Sequence, residues 1–162
     1  TGGFSLHAAL GGATRVTSVD IAAPAIASLG KNLEASGLPA SQHELVTSDA
    51  FELFARAQRT GRRWDLVIVD PPSFAPNEKA RQAALGAYRK LAVAALSVVE
   101  PGGRFALASC SSHITEADLV GILASLGADL RLRHVAGAAS DHPVLPAFPE
   151  GRYLKFLFCD VG

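Results

Sequence analysis

Short β-branched runs alternate with segments of helical periodicity along the chain, and this alternation constrains the fold more than any other feature. Predicted strands lie at 15–20, 43–50, 64–70, 103–110, 130–136 and 153–160, and predicted helices at 22–37, 50–59, 77–100 and 115–127. The last of these helices begins with Thr115 and Asp118 at the spacing of a capping box. Strands that alternate with helices in this way predict an α/β protein whose mostly parallel sheet is covered on both faces.

Composition is typical of one intracellular domain. A chain of 162 residues with 49% hydrophobic residues can bury a core without disulfides. Its two cysteines match no zinc or redox spacing, which predicts a reducing, cytoplasmic compartment and no metal. No apolar run approaches the roughly 18 residues that cross a bilayer, so no membrane contact is expected. Fifteen basic and fifteen acidic residues cancel, so any nucleic-acid contact must be local or lie outside this chain.

Aspartates stand at the ends of three predicted strands, as Asp20, Asp49 and Asp70. In sheets of this type ligands bind beyond the carboxyl ends of the strands. Acidic residues placed at random would favour helix surfaces, so this distribution is typical of a site. The alternative for each aspartate is that it only caps the helix that follows.

An adenosine ligand suits the first two strand-end carboxylates. Gly2 and Gly3 stand where a helix begins, so a ligand could approach the backbone closely there. Asp20 could hold both ribose hydroxyls, while Asp49 accepts from the adenine amine and the Ala50 N–H donates to the ring. The glycines do not form a G-x-G-x-x-G motif, which favours S-adenosylmethionine (SAM) over NAD. The predicted cofactor-binding residues are Thr1, Gly2, Gly3, Phe4, Asp20, Ile21, Asp49, Ala50 and Asp70.

The order of several motifs makes a family resemblance specific. The segments "TGGFSLHAAL", "VTSVDIAAPAI", "DPPSF", "PGGRFALASCSSHIT" and "DHPVLPAFPEGRYLK" follow one another along the chain. In this the chain resembles, over nearly all of its length, bacterial methyltransferases that make 5-methylcytosine in large-subunit ribosomal RNA. The resemblance implies a Rossmann-like class I SAM-methyltransferase fold with a late antiparallel strand, SAM as cofactor and RNA as partner. The oligomeric state stays open, a dimer included.

Family members typically carry more chain before this region. A PUA-type RNA-binding domain, a linking β-region and the first strand of the sheet usually precede the position of Thr1. We therefore expect residues 1–162 to be a SAM-dependent catalytic domain that lacks its N-terminal part, the first strand included.

The stretch "DPPSF" (70–74) lies beside the sulfonium and the target base in the resembling family. Two consecutive prolines fix φ and stiffen the loop, so that Asp70 could meet a base edge without reorganising. Phe74 could pack against the base, or it could anchor the loop in the core while the prolines merely end the strand. The predicted substrate-binding residues are Pro71, Pro72, Phe74 and His142, the last from the "SDHPV" loop.

Cys110 is the residue that distinguishes methylation of cytosine carbon 5 from methylation of an amino group. Carbon 5 of cytosine becomes nucleophilic after a thiolate adds to carbon 6 and forms an enamine-like intermediate, which then takes the methyl group. Cys110 and Asp70 are therefore the predicted catalytic residues, with His113 as a group that could deprotonate the thiol. Cys159 lies within the apolar "LKFLFC" and is predicted to be a core residue. Some related enzymes have a second cysteine in the D-P-P region, where this chain has Ser73, so another base must complete the reaction.

Two other functions fit parts of the pattern. A SAM-dependent amino or small-molecule methyltransferase would use the D-P-P loop and Asp70 but be indifferent to Cys110. In amino methyltransferases the aromatic residue follows the second proline directly, whereas here Ser73 intervenes. A non-catalytic SAM-fold module that binds only RNA or a protein would show no SAM binding.

Overall fold

The computed structural model describes residues 2–38 and 43–162, which form two compact units, Thr1–Arg56 and Ala57–Gly162. The elements of the first unit are α1 (Gly3–Leu10), β1 (Val16–Asp20), α2 (Ala23–Ala35), β2 (His43–Thr47) and the beginning of α3 (Ala50–Thr60). Those of the second unit are β3 (Trp64–Val69), α4 (Arg81–Leu96), β4 (Val99–Ser109), α5 (Glu116–Ala124), β5 (Leu130–Ala136) and β6 (Lys155–Val161). Two 3₁₀ turns, Glu78–Ala80 and Pro149–Gly151, complete the second unit.

The first unit is built on one parallel strand pair. β1 and β2 pair from Val16 opposite His43 to Asp20 opposite Thr47. α2 packs through Leu29 and Leu33, which are buried and lie one turn apart on the same face. The carboxyl ends of β1 and β2 therefore open at the same edge of this pair.

The second unit contains a four-stranded sheet in the order β3–β4–β6–β5. β3 and β4 are parallel, whereas β6 is antiparallel to both of its neighbours, β4 and β5. Residues 105–109 of β4 are all buried, as expected for a central strand with both faces covered. Cys159 of β6 lies opposite Phe105 and is fully buried, which agrees with its predicted place in the core.

The predicted transition from α4 to β4 differs from the structure by several residues. α4 ends at Leu96 rather than at residue 100, and β4 begins at Val99 rather than at residue 103. Val98 and Val99 continue the apolar spacing of the helix, and both are buried. They nevertheless lie outside the helix, because the backbone N–H of Trp64 donates to the Val98 carbonyl and Trp64 pairs with Val99. A Cβ at Gly103 would lie 2.9 Å from the Asp65 carbonyl oxygen, so only glycine allows this close strand contact.

The predicted capping box at the start of α5 is confirmed. The Thr115 hydroxyl accepts from the backbone N–H of Asp118 at 3.1 Å, and the Asp118 carboxylate accepts from the N–H of Thr115 at 2.9 Å. Two of the N–H groups that the start of a helix leaves unpaired are thereby satisfied, which defines where the loop after β4 ends.

Candidate functional site

The ends of β3 and β4 bring a carboxylate and a thiol to one edge of the second unit. The strands run in parallel with Val69 opposite Leu107, and Asp70 and Cys110 follow the last residues of β3 and β4. Paired backbones of this kind lie about 4.8 Å apart. The two strands that precede Asp70 and Cys110 are thus neighbours in the sheet.

The two loops that follow these strands share one carbonyl group. The Ala75 oxygen, on a residue that is 1% exposed, accepts from the Ser111 hydroxyl at 3.0 Å. It also lies 3.2 Å from Nδ1 of His113, which donates to it when that nitrogen carries the proton. The "DPPSF" loop and the loop that carries Cys110 are therefore tied together. When Nδ1 of His113 carries the proton, Nε2 is the unprotonated nitrogen of the ring.

Tyr88 of α4 is linked by hydrogen bonds to the segment that carries Cys110. Its side chain is fully buried, and its hydroxyl donates to Oγ of Ser109 at 2.9 Å. The same Oγ accepts from the backbone N–H of Ser111 at 3.2 Å, so Cys110 stands between two residues of this network. Burial raises the pKa of the Tyr88 phenol; the hydrogen bond to Ser109 lowers it, and the negative charges of Cys110 and Asp70 raise it. Asp70 and Cys110 thus act electrostatically on one buried hydroxyl.

Phe74 packs against this tyrosine. Its ring centroid lies 5.0 Å from that of Tyr88 at an interplanar angle of 62°, an edge-to-face arrangement. Phe74 and Pro71 are half-buried, whereas Pro72 is exposed. The contact supports the interpretation of Phe74 as a loop anchor. Contact of Phe74, Pro71 or Pro72 with a ligand stays a prediction.

The Asp70 carboxyl group has an unusual electrostatic environment for a residue at the surface. Partial burial raises its pKa above the ordinary value of 3.8. In the parts of the chain that the structure describes, no cation forms a salt bridge with this carboxylate. The Asp70 residue is nonetheless exposed to solvent, and a carboxylate whose pKa is raised without an ion-pair partner is typical of functional sites.

In the first unit, Asp20 and Asp49 lie at the same edge of the β1–β2 pair. Oδ1 of Asp20 accepts from the N–H of Ala22 at 2.8 Å. Oδ1 of Asp49 accepts from the N–H of Phe51 at 2.7 Å and more weakly from that of Glu52 at 3.4 Å. Asp49 therefore does cap α3, and Asp20 orders the turn into α2. Each carboxylate keeps Oδ2 for a second interaction.

The glycines at the start of α1 have different surroundings. Gly2 has φ of 85°, and a Cβ there would lie 2.1 Å from Cδ1 of the buried Leu29. A Cβ at Gly3 would meet no atom within 4 Å. Gly2 is thus required by the fold, whereas the backbone at Gly3 is open to a ligand.

Four other predicted cofactor-binding residues belong to this unit. Phe4 and Ile21 are apolar residues that are exposed, Ile21 by 74% of its surface. Ala50 is half-buried at the first position of α3. The predicted residue Thr1 lies outside the described residues.

His142 lies in the long loop between β5 and β6. Its Nδ1 is 3.0 Å from Oδ1 of Asp141, and this interaction lowers the pKa of the Asp141 carboxyl group. Both side chains are exposed. Their partners in the structure are each other and the Ala139 carbonyl, so a role for His142 in substrate binding stays a prediction.

Neither a metal centre nor a membrane span is found among residues 2–38 and 43–162. That part of the chain contains no group of three or more His, Cys, Asp or Glu side chains that could hold a metal ion. None of its helices is both long enough and apolar enough to cross a membrane.

Comparison with known proteins gives concordant matches. The model of the family described as conserved hypothetical protein 95 matches residues 1–116. A ribosomal RNA large subunit methyltransferase I of Photobacterium profundum is 37% identical over 166 residues, which cover 99% of this chain and 42% of that protein. A ribosomal RNA large subunit methyltransferase of Deinococcus radiodurans is 39% identical over 162 residues, 98% of this chain and 39% of that protein. The chain thus spans about two fifths of the length of these curated relatives.

A solved structure shows the fold class. The crystal structure of SMU.776 complexed with SAH matches with a TM-score of 0.86 and 28% identity, over 98% of this chain and 42% of that one. The fold is therefore that of the class I SAM methyltransferases, with a mostly parallel sheet and a late antiparallel strand, β6, as predicted.

Proposed function

Because the chain belongs to the family described as conserved hypothetical protein 95 and matches ribosomal RNA large subunit methyltransferases over nearly its whole length, we propose that it is the catalytic part of such an enzyme. It would transfer a methyl group from SAM to large-subunit ribosomal RNA in the cytoplasm. The observation that carries the proposal is the parallel pairing of β3 and β4, which places Asp70 and Cys110 at one edge with their loops joined at Ala75.

SAM is the cofactor that the first unit suits. Asp20 lies opposite Thr47, two residues before Asp49, so both carboxylates leave the strand pair on the same side. A backbone N–H bound to Oδ1 of each aspartate holds the carboxylate in one orientation and leaves Oδ2 for a ligand hydroxyl or amine. The SAH bound in SMU.776 is the demethylated product of SAM, which supports the same ligand here.

Replacement of Asp20 tests the ribose contact. An Asp20→Ala protein is expected to bind SAM and S-adenosylhomocysteine alike more weakly, by roughly ten- to a hundredfold, because a charged hydrogen-bond acceptor contributes about 1.5–3 kcal/mol. Isothermal calorimetry measures both affinities. Asp20→Asn is the matched control, since its amide oxygen can still accept from the Ala22 N–H. A loss of stability in Asp20→Ala without any change of affinity would reduce Asp20 to a turn residue.

The two glycines provide a second test of the cofactor site. A Gly3→Ala protein is expected to fold as stably as the wild type and to bind SAM about tenfold more weakly, because the new methyl group meets only the ligand. Gly2→Ala is the contrasting variant: its positive φ and the contact with Leu29 should cost about 2–4 kcal/mol of unfolding free energy in urea titrations. Unchanged SAM affinity in Gly3→Ala would place the cofactor elsewhere.

The proposed reaction is methylation of carbon 5 of cytosine through a covalent intermediate. The thiolate of Cys110 adds to carbon 6, and the electron pair displaced toward carbon 5 attacks the SAM methyl group and releases S-adenosylhomocysteine. A base then removes the proton from carbon 5, and the carbon–sulfur bond breaks to return the thiolate. Asp70, on the stiff D-P-P loop, would hold the edge of the cytosine base during the thiolate addition and the methyl transfer.

Product analysis tests the proposed function directly. The protein is incubated with unmodified large-subunit ribosomal RNA and methyl-labelled SAM, and the digested nucleosides are identified by mass spectrometry. We expect labelled 5-methylcytidine. A label on a base amino group would support the amino-methyltransferase alternative instead. No transfer together with no SAM binding would support the non-catalytic module.

A further inference from the structure

Lys155 lies against the residues on either side of Cys110. As the first residue of β6 it pairs with Ser109, which precedes Cys110 at the end of β4. Its Nζ donates a hydrogen bond to the backbone carbonyl of Ser111, which follows Cys110. Lys155 therefore contacts the residue before Cys110 through its backbone and the residue after Cys110 through its ammonium group. Cys110 itself is half-buried.

The elements near Cys110 carry several charged or titratable groups. Tyr88 is a buried phenol hydrogen-bonded to Ser109, and the guanidinium of Arg81 is paired with the Asp118 carboxylate. Among the described residues no carboxylate forms a salt bridge with Lys155. The groups around the thiol are Asp70 after β3, Tyr88 in α4, His113 in the thiol's own loop, Asp118 in α5 with Arg81 in α4, and Lys155 in β6.

The lysine charge is partly withdrawn from water. Burial lowers the pKa of the Lys155 ammonium, while the negative charges of Cys110 and Asp118 raise it. An ammonium group in this position is stabilised by an anion on the neighbouring sulfur.

We propose that Lys155 is a positioning residue that holds the Cys110 thiolate ready for attack and receives it again when the carbon–sulfur bond breaks. This inference rests on the proposed cytosine methylation. The thiol proton leaves to solvent before attack, and Lys155 keeps all of its own protons throughout. The hydrogen bond to the Ser111 carbonyl fixes the ammonium against the residue that follows Cys110, so the charge acts from one defined place.

A Lys155 with a purely structural role would also form the hydrogen bond to the Ser111 carbonyl. Three replacements distinguish that role from an effect of its charge. Lys155→Gln keeps a donor for the Ser111 carbonyl but removes the charge. Lys155→Arg keeps both the charge and the donors. Lys155→Met has a similar length and neither property. Circular dichroism and thermal unfolding establish that each variant is folded before its thiol is measured.

The measurement is the alkylation rate of Cys110 by iodoacetamide as a function of pH, followed by peptide mass spectrometry so that the buried Cys159 is scored separately. We expect the profiles of Lys155→Gln and Lys155→Met to move to higher pH by about one unit, which makes alkylation about tenfold slower near neutrality. Lys155→Arg should stay within about threefold of the wild type.

The outcomes distinguish this inference from the proposed function. A Lys155→Gln profile that coincides with the wild type would overturn the role of the charge, even if the RNA product is 5-methylcytidine. A shifted profile in a protein that makes no 5-methylcytidine would leave the ammonium–thiolate contact standing and overturn the proposed reaction. If Lys155→Gln does not fold, the comparison of Lys155→Met with Lys155→Arg decides: equal profiles overturn the inference.

Discussion

A Cys110→Ala protein is expected to bind SAM as the wild type does and to lose methyl transfer to ribosomal RNA by at least about 10⁴-fold. Without the thiolate, nothing adds to carbon 6, and carbon 5 of cytosine stays too weak a nucleophile to attack the sulfonium. Cys110 is half-buried at the end of β4, so removal of its sulfur should change the unfolding free energy little. Calorimetry with SAM and transfer of labelled methyl groups provide the two readings.

Cys159→Ala is the internal control for this experiment. Cys159 lies opposite Phe105 inside the sheet and is fully buried, and burial raises the pKa of its thiol. Its removal should cost about 1 kcal/mol through the small cavity left behind, with methyl transfer intact. Transfer at a near wild-type rate by Cys110→Ala would end the cytosine carbon-5 proposal and favour the amino methyltransferase.

A substrate analogue reports on the same step without mutation. RNA that carries 5-fluorocytosine should become covalently attached to the wild-type protein in the presence of SAM, because carbon 5 then has no proton to lose. The complex should survive denaturing electrophoresis and be absent with Cys110→Ala. A wild-type protein that methylates normal RNA but never retains the fluorinated RNA would contradict a thiol adduct.

The fold could be predicted from sequence because its signals are local. Apolar runs such as 66–69 and the helical spacing of Leu29 and Leu33 each specify an element without reference to distant residues. The boundary near residue 97 was wrong for the opposite reason. Val98 and Val99 fit a helix by spacing, but they are placed by pairing with Trp64, a contact between residues far apart in sequence.

The candidate site could be predicted where a carboxyl or thiol group directly follows a strand. Asp70 and Cys110 meet this condition, and their meeting at one edge follows from parallel pairing alone. The groups that hold the two loops in place do not directly follow a strand. Tyr88 looks like any core residue of an amphipathic helix, and the carbonyl of Ala75 is joined to Ser111 across 36 positions in sequence. Such contacts leave no periodic pattern, so only coordinates reveal them.

The strand-end aspartates of the first unit show that two interpretations of one residue can both hold. Asp49 caps α3 through Oδ1, as the structural alternative required. That same bond orients the carboxylate and leaves Oδ2 unoccupied by the helix. A cap and a ligand-binding residue are therefore compatible at this position, and sequence alone could not separate them.

An Asp70→Asn protein is expected to lose methyl transfer by about 10²–10⁴-fold while it keeps its fold and its affinity for SAM within about tenfold. The amide has the shape of the carboxyl group but neither its charge nor its second acceptor oxygen, so it can no longer hold the base edge during addition. Labelled methyl transfer gives the rate, and calorimetry gives the SAM affinity. Ser73→Ala, an exposed change in the same loop, is the matched control and should stay near the wild-type rate.

The same Asp70→Asn substitution should raise stability at neutral pH, opposite in sign to its effect on activity, but only slightly because solvent screens this exposed residue. Because burial raises the pKa of Asp70 in the folded protein above 3.8, the folded state binds more protons than the unfolded state above that pH. Stability of the wild type therefore falls as pH rises through this window, and the ionised carboxylate disfavours the fold above it. Urea unfolding should show Asp70→Asn to be the more stable protein at pH 7, with an advantage that shrinks toward pH 3 as the wild-type carboxyl group is protonated in both states. A variant that is less stable than the wild type at pH 7 would mean that the charge of Asp70 supports the fold, and its place among the catalytic residues would then rest on the transfer rate alone.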